Sequence, residues 1–512
     1  MTTRSSARVR SAPPPPPELS INHKNSSSSS SGKQMSAVSD LRPDAQAVLL
    51  LVLLYTLQGV PMGLGAAVSF MLQERGADYS QQAIFSLVSW PFSLKLLWAP
   101  VVDTVCLPAA GLRRSWIVPL QTIIGIAMFA TADYSQNLLH GGVEQAVKPM
   151  TALYFVMHFL CATQDVAVDG WALTLLSAKN VGYAGTINAV GQTIGYFAAF
   201  TGFLALEQAK LMSLGSFMLL CGALFLVSAA WVAVSPESRQ VADKEDPEAA
   251  RKRAAAAAAA PLAALASSYK EMLSIARLPP VRTLALFLIL NRIGFAATDS
   301  LTALEMMKRG VSKTTLATIS ACITPISIVM PVVVGPWTAR SPWRAWRWAY
   351  IPRMIMSLAA VFLIYALPAR DADDHEPTHL TLTYYVAVMI MLGLFSALST
   401  VQFVAQMSFF STVSSDAEIG GTYMTMLNTM SNLGSKWTTS AALYLAGSDV
   451  VRRLAVPQPP SWMSAPLDPF YTVNWACFVL GIVAMPVIFS IARRIESTPM
   501  PMWQVKGASD KE

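Results

Sequence analysis

Long apolar segments recur along this chain from Ala45 to Arg493, and short polar stretches separate them. Each segment has about 20 residues or more, which is enough for an α-helix to cross a bilayer. The pattern therefore predicts an all-α polytopic membrane protein with about twelve transmembrane helices. We number the predicted spans 1 to 12; they cover residues 45–72, 82–105, 116–135, 149–177, 181–206 and 213–235, and then 282–307, 315–338, 343–367, 380–412, 419–447 and 470–493.

Three polar segments set the domain organisation. Residues 1–42 are rich in Ser and Pro, have almost nothing to bury, and are predicted to be a disordered tail. Residues 236–281 connect span 6 to span 7, and we interpret their alanine run as a spacer; residues 497–512 form a charged tail. The remaining halves, 43–235 and 282–496, hold six spans each, an arrangement typical of transporters built from two repeated units.

The composition supports a membrane protein. Hydrophobic residues make up 54% of the chain and charged residues 13%, whereas soluble domains contain about 25% charged residues. Most Lys and Arg residues fall on the side that holds both termini, which predicts that both termini are cytosolic. The five cysteines form no CxxC motif, so we expect no disulfide framework, metal site or cofactor.

Spans 5 and 11, which are six helices apart, resemble each other. Span 5 carries Asn188 and Gln192 within Gly182–Gly195, and span 11 carries Asn428 and Asn432 within Gly420–Gly434. In each pair the amides are four residues apart and lie on one helical face. We expect these amides to line a cavity, whereas the glycines fit either a cavity or close helix packing.

Span 4 contains two carboxylates, Asp165 and Asp169, on one helical face. Charges at bilayer depth are costly, so such side chains usually face the interior of a helix bundle. This pattern is compatible with pairing of the aspartates with Lys95 on span 2 and with contact between the aspartates and cargo. It is also compatible with proton coupling that involves His158, which lies seven residues before Asp165 on the same helical face.

The end of span 2 is followed by paired arginines. Asp103 closes the span, and Gly111, Arg113 and Arg114 follow in the next loop. This arrangement resembles the signature of the major facilitator superfamily, although the spacing between Asp and Arg is longer here. The resemblance implies a latch in which Asp103, Arg113 and Arg114 hold neighbouring helices together in one conformation.

Four motifs narrow the resemblance. The segments Lys95–Asp103 and Ala162–Trp171 are similar to a branch that contains bacterial muropeptide permeases and the acetyl-coenzyme A transporters of the endoplasmic reticulum. The segments Gly182–Phe197 and Gly420–Gly434 resemble the acetyl-coenzyme A transporters specifically. The resemblance covers all the spans, and excludes the N-terminal tail and the alanine-rich connection.

The resemblance implies a function. We expect a transporter, not an enzyme, that carries acetyl-coenzyme A from the cytosol into the lumen of the endoplasmic reticulum by alternating access and supplies lumenal acetylation. Uniport, exchange for coenzyme A and proton cotransport all fit, and no nucleic-acid partner is expected. A proton-coupled permease for muropeptide-like or other organic anions is the alternative, and a membrane acyltransferase is a weaker one.

This cargo requires cations for its phosphates, aromatic faces for its adenine and amides for its pantetheine arm. Lys95, Arg292 and Lys436 are the basic residues that we place deep in spans, and Trp171 is a candidate for stacking. The competing interpretation is internal charge pairing, of Lys95 with Asp165 or Asp169 and of Arg292 with Asp299 two turns along span 7. The expected cargo or cavity residues are Lys95, Asn188, Gln192, Arg292, Asn428, Asn432, Lys436 and Trp171, and the expected switch or pairing residues are Asp103, Arg113, Arg114, Asp165, Asp169 and Asp299.

Overall fold

The protein is described from a computed structural model, which covers residues 43–105, 113–177, 180, 184–234, 261–367, 381–414, 420–454 and 469–504. Asp44–Glu512 group into one compact unit, apart from Met1–Pro43. The predicted N-terminal tail, the alanine run of the connection and the end of the charged C-terminal tail lie outside the described residues. The last part of the predicted connection is a helix, Pro261–Arg277.

The described residues form helices and no strand, so the predicted all-α class is confirmed. Ten helical segments are long and apolar enough to cross a membrane among the residues described. The other two expected spans are also helical: span 2 is interrupted, and span 11 carries many Thr, Ser and Asn residues. The spans are Ala45–Glu74, Tyr79–Thr104, Arg114–His140, Val143–Leu175, Ala184–Gln208, Leu214–Val234, Pro279–Lys308, Lys313–Arg340, Pro342–Tyr365, Leu382–Val413, Gly420–Gly447 and Pro469–Ser497.

Three spans are not continuous α-helices. Span 2 consists of Tyr79–Ser86, Trp90–Leu94 and Ala99–Thr104, joined by short 3₁₀ turns, and span 5 passes through a π-helical turn at Ala198–Gly202. Span 7 stops at Leu290 and restarts at Ala296. Such interruptions in membrane helices occur where the backbone lines a cavity or is buried in protein. These three spans therefore mark the part of the bundle in which a polar site is expected.

The two halves pack in the same way. Spans 1 and 5 and spans 3 and 6 contact each other in the first half, as do spans 7 and 11 and spans 9 and 12 in the second. Span 11 also packs along span 2, which joins the halves. We call the end of the bundle where span 1 begins and span 12 ends the terminal end, and the opposite end the far end.

Glycines set the distance between paired helices in both halves. A Cβ atom added at Gly195 of span 5 would lie 1.8 Å from the Thr56 carbonyl oxygen of span 1. A Cβ atom at Gly434 of span 11 would lie 2.1 Å from the Leu288 carbonyl oxygen of span 7. Both distances are far below van der Waals contact. These glycines of the similar motifs thus allow close helix packing, one of the two interpretations that the sequence left open.

We expect Gly195→Ala to destabilise the protein by about 1–3 kcal/mol or more, because the new methyl group must push two helix backbones apart. Gly185→Ala is the matched control, since a Cβ atom there would meet nothing within 4 Å in the same helix. Thermal unfolding of the detergent-solubilised proteins measures the melting temperature of each variant. An equal melting temperature for the two variants would contradict the packing that we describe.

Candidate functional site

Lys95 joins the two aspartates of span 4. The 3₁₀ turn Lys95–Leu97 interrupts span 2 and places the Lys95 ammonium beside span 4. There it donates a hydrogen bond to Asp165 Oδ2 and lies 3.5 Å from Asp169 Oδ2. The side chains of Lys95 and Asp165 are 9% and 4% exposed, and that of Asp169 is 40% exposed. The structure thus brings together the three charged residues that the sequence selected.

Polar groups from spans 1 and 5 complete this cluster. Asp169 Oδ1 accepts hydrogen bonds from the Tyr55 hydroxyl at 2.9 Å and from Asn188 Nδ2 at 3.0 Å. Gln192 Nε2 donates to Asp165 Oδ1 at 3.2 Å and to Gln58 Oε1 at 3.3 Å. We call Tyr55, Gln58, Lys95, Asp165, Asp169, Asn188 and Gln192 the amino-half network.

Sequence reasoning missed Tyr55 and Gln58. Their signal was present: two polar side chains three residues apart share a face in the middle of span 1. The amino-half network contains two carboxylates and one ammonium, so its formal charge is negative when both aspartates are ionised. An anionic group would therefore be repelled from it.

One contact that the predicted latch would require is present, and the latch itself stays a prediction. Arg113 Nη1 lies 2.7 Å from Asp103 Oδ1, which connects the start of span 3 to the end of span 2. A Cβ atom at Gly170 would lie 2.3 Å from Arg113 Cζ, so the glycine after Asp169 makes room for this guanidinium group. Arg114 instead donates to the Ala233 carbonyl oxygen of span 6 at 3.3 Å. The latch thus reaches span 4 directly beside the amino-half network.

We expect Arg113→Gln and Gly170→Ala to lower the initial rate of transport, the activity that the sequence motifs predict, by similar factors, because each change removes the same contact between Arg113 and span 4. The double variant Arg113→Gln/Gly170→Ala should then lose little more than either single variant. Thermal stability should change by less than about 1 kcal/mol in Arg113→Gln, because Asp103 is half exposed. Losses that multiply in the double variant would show that the two residues act separately.

The predicted pair of Arg292 and Asp299 does not form. Asp299 instead binds Arg353 of span 9, with Arg353 Nη2 3.1 Å from both of its carboxylate oxygens. The reason is the break in span 7 between Leu290 and Ala296, which separates the two residues. A spacing of seven residues aligns side chains only along an unbroken helix.

Arg353 is a buried cation that sequence reasoning missed. Its side chain is 1% exposed, lies over the rings of Phe295 and Phe395, and donates to Gln402 Oε1 at 2.8 Å. It belongs to a predicted span, so the signal was its position deep in an apolar segment. With Asp299 it forms a neutral pair that ties spans 7, 9 and 10 together.

No carboxylate lies within ion-pair distance of Arg292 or Lys436 in the described part of the chain. Both side chains are half-buried. Asn428 and Asn432 precede Lys436 on the same helix; Asn432 is exposed, and Asn428 Oδ1 is buried without a hydrogen bond among the residues described. The side chains of Asn428, Asn432 and Lys436 therefore form a row along one side of span 11 that could bind a polar ligand.

Trp171 does not serve the predicted stacking role in this conformation. Its side chain is fully buried and packs in an apolar cluster with residues such as Leu51 and Ile117. A ring without exposed surface cannot stack on an adenine. Trp171 instead holds the terminal ends of spans 1, 3 and 4 together.

Polar contacts between the halves seal the far end. Lys313 of span 8 lies 2.7 Å from Glu74 Oε2 of span 1 and 2.7 Å from Glu207 Oε2 of span 5. The Tyr79 hydroxyl donates to Glu305 Oε2 at 2.7 Å. We call these five residues the far-end seal. Ser80 adds a hydrogen bond to the Gly447 carbonyl oxygen at 2.8 Å.

Comparison with known proteins provides the family context. A family model described as acetyl-coenzyme A transporter 1 matches residues 47–345 and 339–458. An uncharacterized membrane protein of Saccharomyces cerevisiae is 25% identical, covering 90% of this chain and 97% of its own. An anhydromuropeptide permease of Escherichia coli is 30% identical over 29% of each chain.

Solved structures establish the fold. A D-xylose-proton symporter superposes with a TM-score of 0.54 at 11% identity, covering 90% of this chain and 99% of its own. A bacterial homologue of the lysosomal transporter Spinster, in an inward-facing conformation, superposes with a TM-score of 0.55 at 14% identity, covering 88% and 98%. The chain thus has the major facilitator fold predicted from its motifs.

Proposed function

The chain belongs to the acetyl-coenzyme A transporter 1 family, and we propose that it carries acetyl-coenzyme A from the cytosol into the lumen of the endoplasmic reticulum. It is a membrane transporter of the major facilitator type. The observation that carries the proposal is the family match, which extends over nearly all of the spans. The lumenal destination rests on the resemblance of the four sequence motifs, and lumenal acetylation is the expected use of the cargo.

Alternating access is supported by the arrangement of contacts between the halves. The far-end seal links spans 1, 2 and 5 of one half to spans 7 and 8 of the other through ion pairs and a hydrogen bond. Hydrogen bonds and ion pairs can open and re-form, unlike an interlocked apolar core. A rocking motion of the halves would break the seal when the far end opens, and the latch at the terminal end would change in the same motion.

The positive charge near the terminal end supports the orientation that the proposed direction of transport requires. Lys and Arg residues concentrate in the segments on that side, which supports a cytosolic terminal end. With the far end sealed, the conformation described here would receive cargo from the cytosol. The far end would then face the lumen.

A second candidate cargo is a muropeptide-like anion. Partial similarity to the anhydromuropeptide permease favours it, although this similarity covers less than a third of the chain. Such a permease would be coupled to protons, and Asp165 and Asp169 would be the groups to test. Competition by the two cargoes separates the candidates.

Uptake into proteoliposomes tests the proposal. Purified protein would be given acetyl-coenzyme A labelled in the acetyl group, with coenzyme A and an anhydromuropeptide as competitors, and empty liposomes as the control. We expect intact labelled acetyl-coenzyme A to accumulate inside. Binding without accumulation would refute a carrier, accumulation of anhydromuropeptide alone would favour the permease, and release of the acetyl group would indicate an acyltransferase.

A further inference from the structure

The charges that the structure assigns inside the bundle do not balance between the two halves. In the first half, Lys95 is bound by Asp165 and Asp169. In the second half, Asp299 is paired with Arg353, and no carboxylate lies within ion-pair distance of Arg292 or Lys436 among the described residues. Arg292, Arg353 and Lys436 therefore outnumber Asp299 by two charges in this group of described side chains, whereas the formal charge of the amino-half network is negative.

The fold holds Arg292 and Lys436 close to each other. Arg292 lies in the break of span 7, and Lys436 lies on span 11, which packs against the segment just before that break. The Trp437 indole N–H donates to the Ile289 carbonyl oxygen at 3.1 Å, and Gly434 lets the two backbones touch. Lys436 directly precedes Trp437, and Arg292 follows Ile289 by three residues, so these contacts place the two cations in the same region of the bundle.

Such an arrangement is costly in a membrane protein unless an anion joins it. Charged side chains within membrane spans normally pair with each other or with backbone carbonyls, and those left unpaired mark substrate or ion pathways. Arginine offers a planar fork of donors that fits phosphate, and lysine adds a compact charge. One phosphate-type group with two negative charges would neutralise the pair.

We propose that Arg292 and Lys436 form a binding subsite for the phosphate groups of the cargo, so that the phosphate end binds the second half of the transporter. The uncharged acyl-pantetheine arm would lie toward the amino-half network, whose hydroxyl and amide groups can hydrogen-bond with it and whose negative charge repels phosphate. The assignment of this anion to acetyl-coenzyme A rests on the proposed function. The anion subsite itself rests only on the charges and contacts above.

Protection against thermal unfolding tests the subsite without any transport. Inorganic pyrophosphate and adenosine 3′,5′-bisphosphate are the probes, and the detergent-purified full chain is titrated with each. Arg292→Gln and Lys436→Gln should each raise the apparent Kd of both probes by about 10- to 100-fold, the loss that removal of one charge-assisted hydrogen bond produces. Arg292→Lys, which keeps the charge, should lose less.

Arg282→Gln is the matched control, because Arg282 is an exposed arginine on the same span, ten residues before Arg292. Its probe affinity should equal that of the wild type. If the wild-type protein binds neither probe, or if both glutamine variants bind them as tightly as the wild type does, the subsite is refuted. If a glutamine variant does not fold, Arg292→Lys is compared with Arg282→Gln instead. Unchanged affinity of Arg292→Lys for both probes at every ionic strength would contradict a bidentate contact between Arg292 and phosphate.

The same variants separate this inference from the proposed function. Acetyl-pantetheine, which lacks every phosphate, should compete for uptake equally well in Arg292→Gln and in the wild type if the subsite is correct. Probe binding that depends on Arg292 and Lys436, together with no accumulation of acetyl-coenzyme A in liposomes, would retain the anion subsite and refute the cargo. Accumulation of acetyl-coenzyme A, together with probe binding that does not depend on Arg292 or Lys436, would support the cargo and refute the anion subsite.

Discussion

Lys95→Met is expected to abolish uptake and to lower the melting temperature more than any other single substitution in the amino-half network. Lys95 is the only cation that contacts Asp165 and Asp169 in the described residues. Its removal would leave two carboxylates one helical turn apart, one of them almost fully buried. Breaking a buried ion pair from one side costs about 3–5 kcal/mol, because the remaining charge is buried without compensation.

The double variant Lys95→Met/Asp165→Asn distinguishes a structural pair from a switch. Removing the buried carboxylate together with the ammonium relieves the unpaired charge, so the melting temperature should return to near the wild-type value. If the pair is only structural, uptake should return as well. If Lys95 must release and rebind the aspartates during transport, the double variant should fold and remain inactive, which is the result that we expect.

Purified protein in detergent gives the melting temperatures, and proteoliposome uptake gives the activity. Lys270→Met is the control, because Lys270 is exposed on the helix Pro261–Arg277 outside the network. A Lys95→Met variant with wild-type stability and wild-type uptake would remove this residue from both roles. It would also show that the contacts with Asp165 and Asp169 carry no net energy.

The fold could be predicted from the sequence because its determinants are local. Apolar length predicts each span, and the repeated motifs of spans 5 and 11 predict two halves. The pairing of Lys95 with span 4 was also within reach, because few charges occur in these spans and opposite charges there must find each other. Asn188 and Gln192 could be selected as polar residues of the bundle interior, although their hydrogen-bond partners could not, and their cavity role stays a prediction.

The second half was harder to predict because its helices are not regular. Helical periodicity aligns Arg292 with Asp299, but the α-helix is interrupted between Leu290 and Ala296, so the periodicity does not hold across these two residues. The true partner, Arg353, lies on another helix, and no local pattern indicates which helices become neighbours. The prediction that Trp171 stacks on the cargo was wrong for a related reason. Its position two residues after Asp169 does not determine whether the ring faces the polar interior or the apolar cluster.

The far-end seal was missed because its residues lie at the ends of spans, where charged residues are ordinary and attract no attention. Glu74 and Glu207 end spans 1 and 5, and Lys313 begins span 8. Only the packing of the two halves brings these three residues together. The side chain of Lys313 is 6% exposed, whereas those of Glu74 and Glu207 are 48% and 25% exposed, so water reaches the contact from the glutamate side.

Lys313→Gln should open the far end. Without the ammonium, Glu74 and Glu207 would face each other across the former contact, and their repulsion would add to the loss of two ion pairs. A change of about 1.4 kcal/mol in the equilibrium between closed and open states corresponds to a tenfold change in population. We therefore expect the open state at this end to rise by about tenfold or more, and uptake to fall because the far end no longer closes.

Cysteine labelling measures this opening. A Cys322→Ser background removes the exposed native cysteine of span 8, and Ala77→Cys places a reporter at a buried position next to Glu74. A membrane-impermeant maleimide should label this reporter at least about ten times faster in Lys313→Gln than in the parent, in line with the population change. Lys148→Gln is the matched control, because Lys148 is an exposed lysine near the start of span 4 at the same end and is not part of the far-end seal.

The triple variant Lys313→Gln/Glu74→Gln/Glu207→Gln separates repulsion from lost attraction. If repulsion between the two carboxylates opens the far end, this variant should label nearly as slowly as the parent, because neutral amides can still hydrogen-bond across the interface. If the ion pairs themselves hold the halves together, it should label as fast as Lys313→Gln. Equal labelling in Lys313→Gln, Lys148→Gln and the parent would mean that apolar packing alone closes this end, and the far-end seal would then have no part in alternating access.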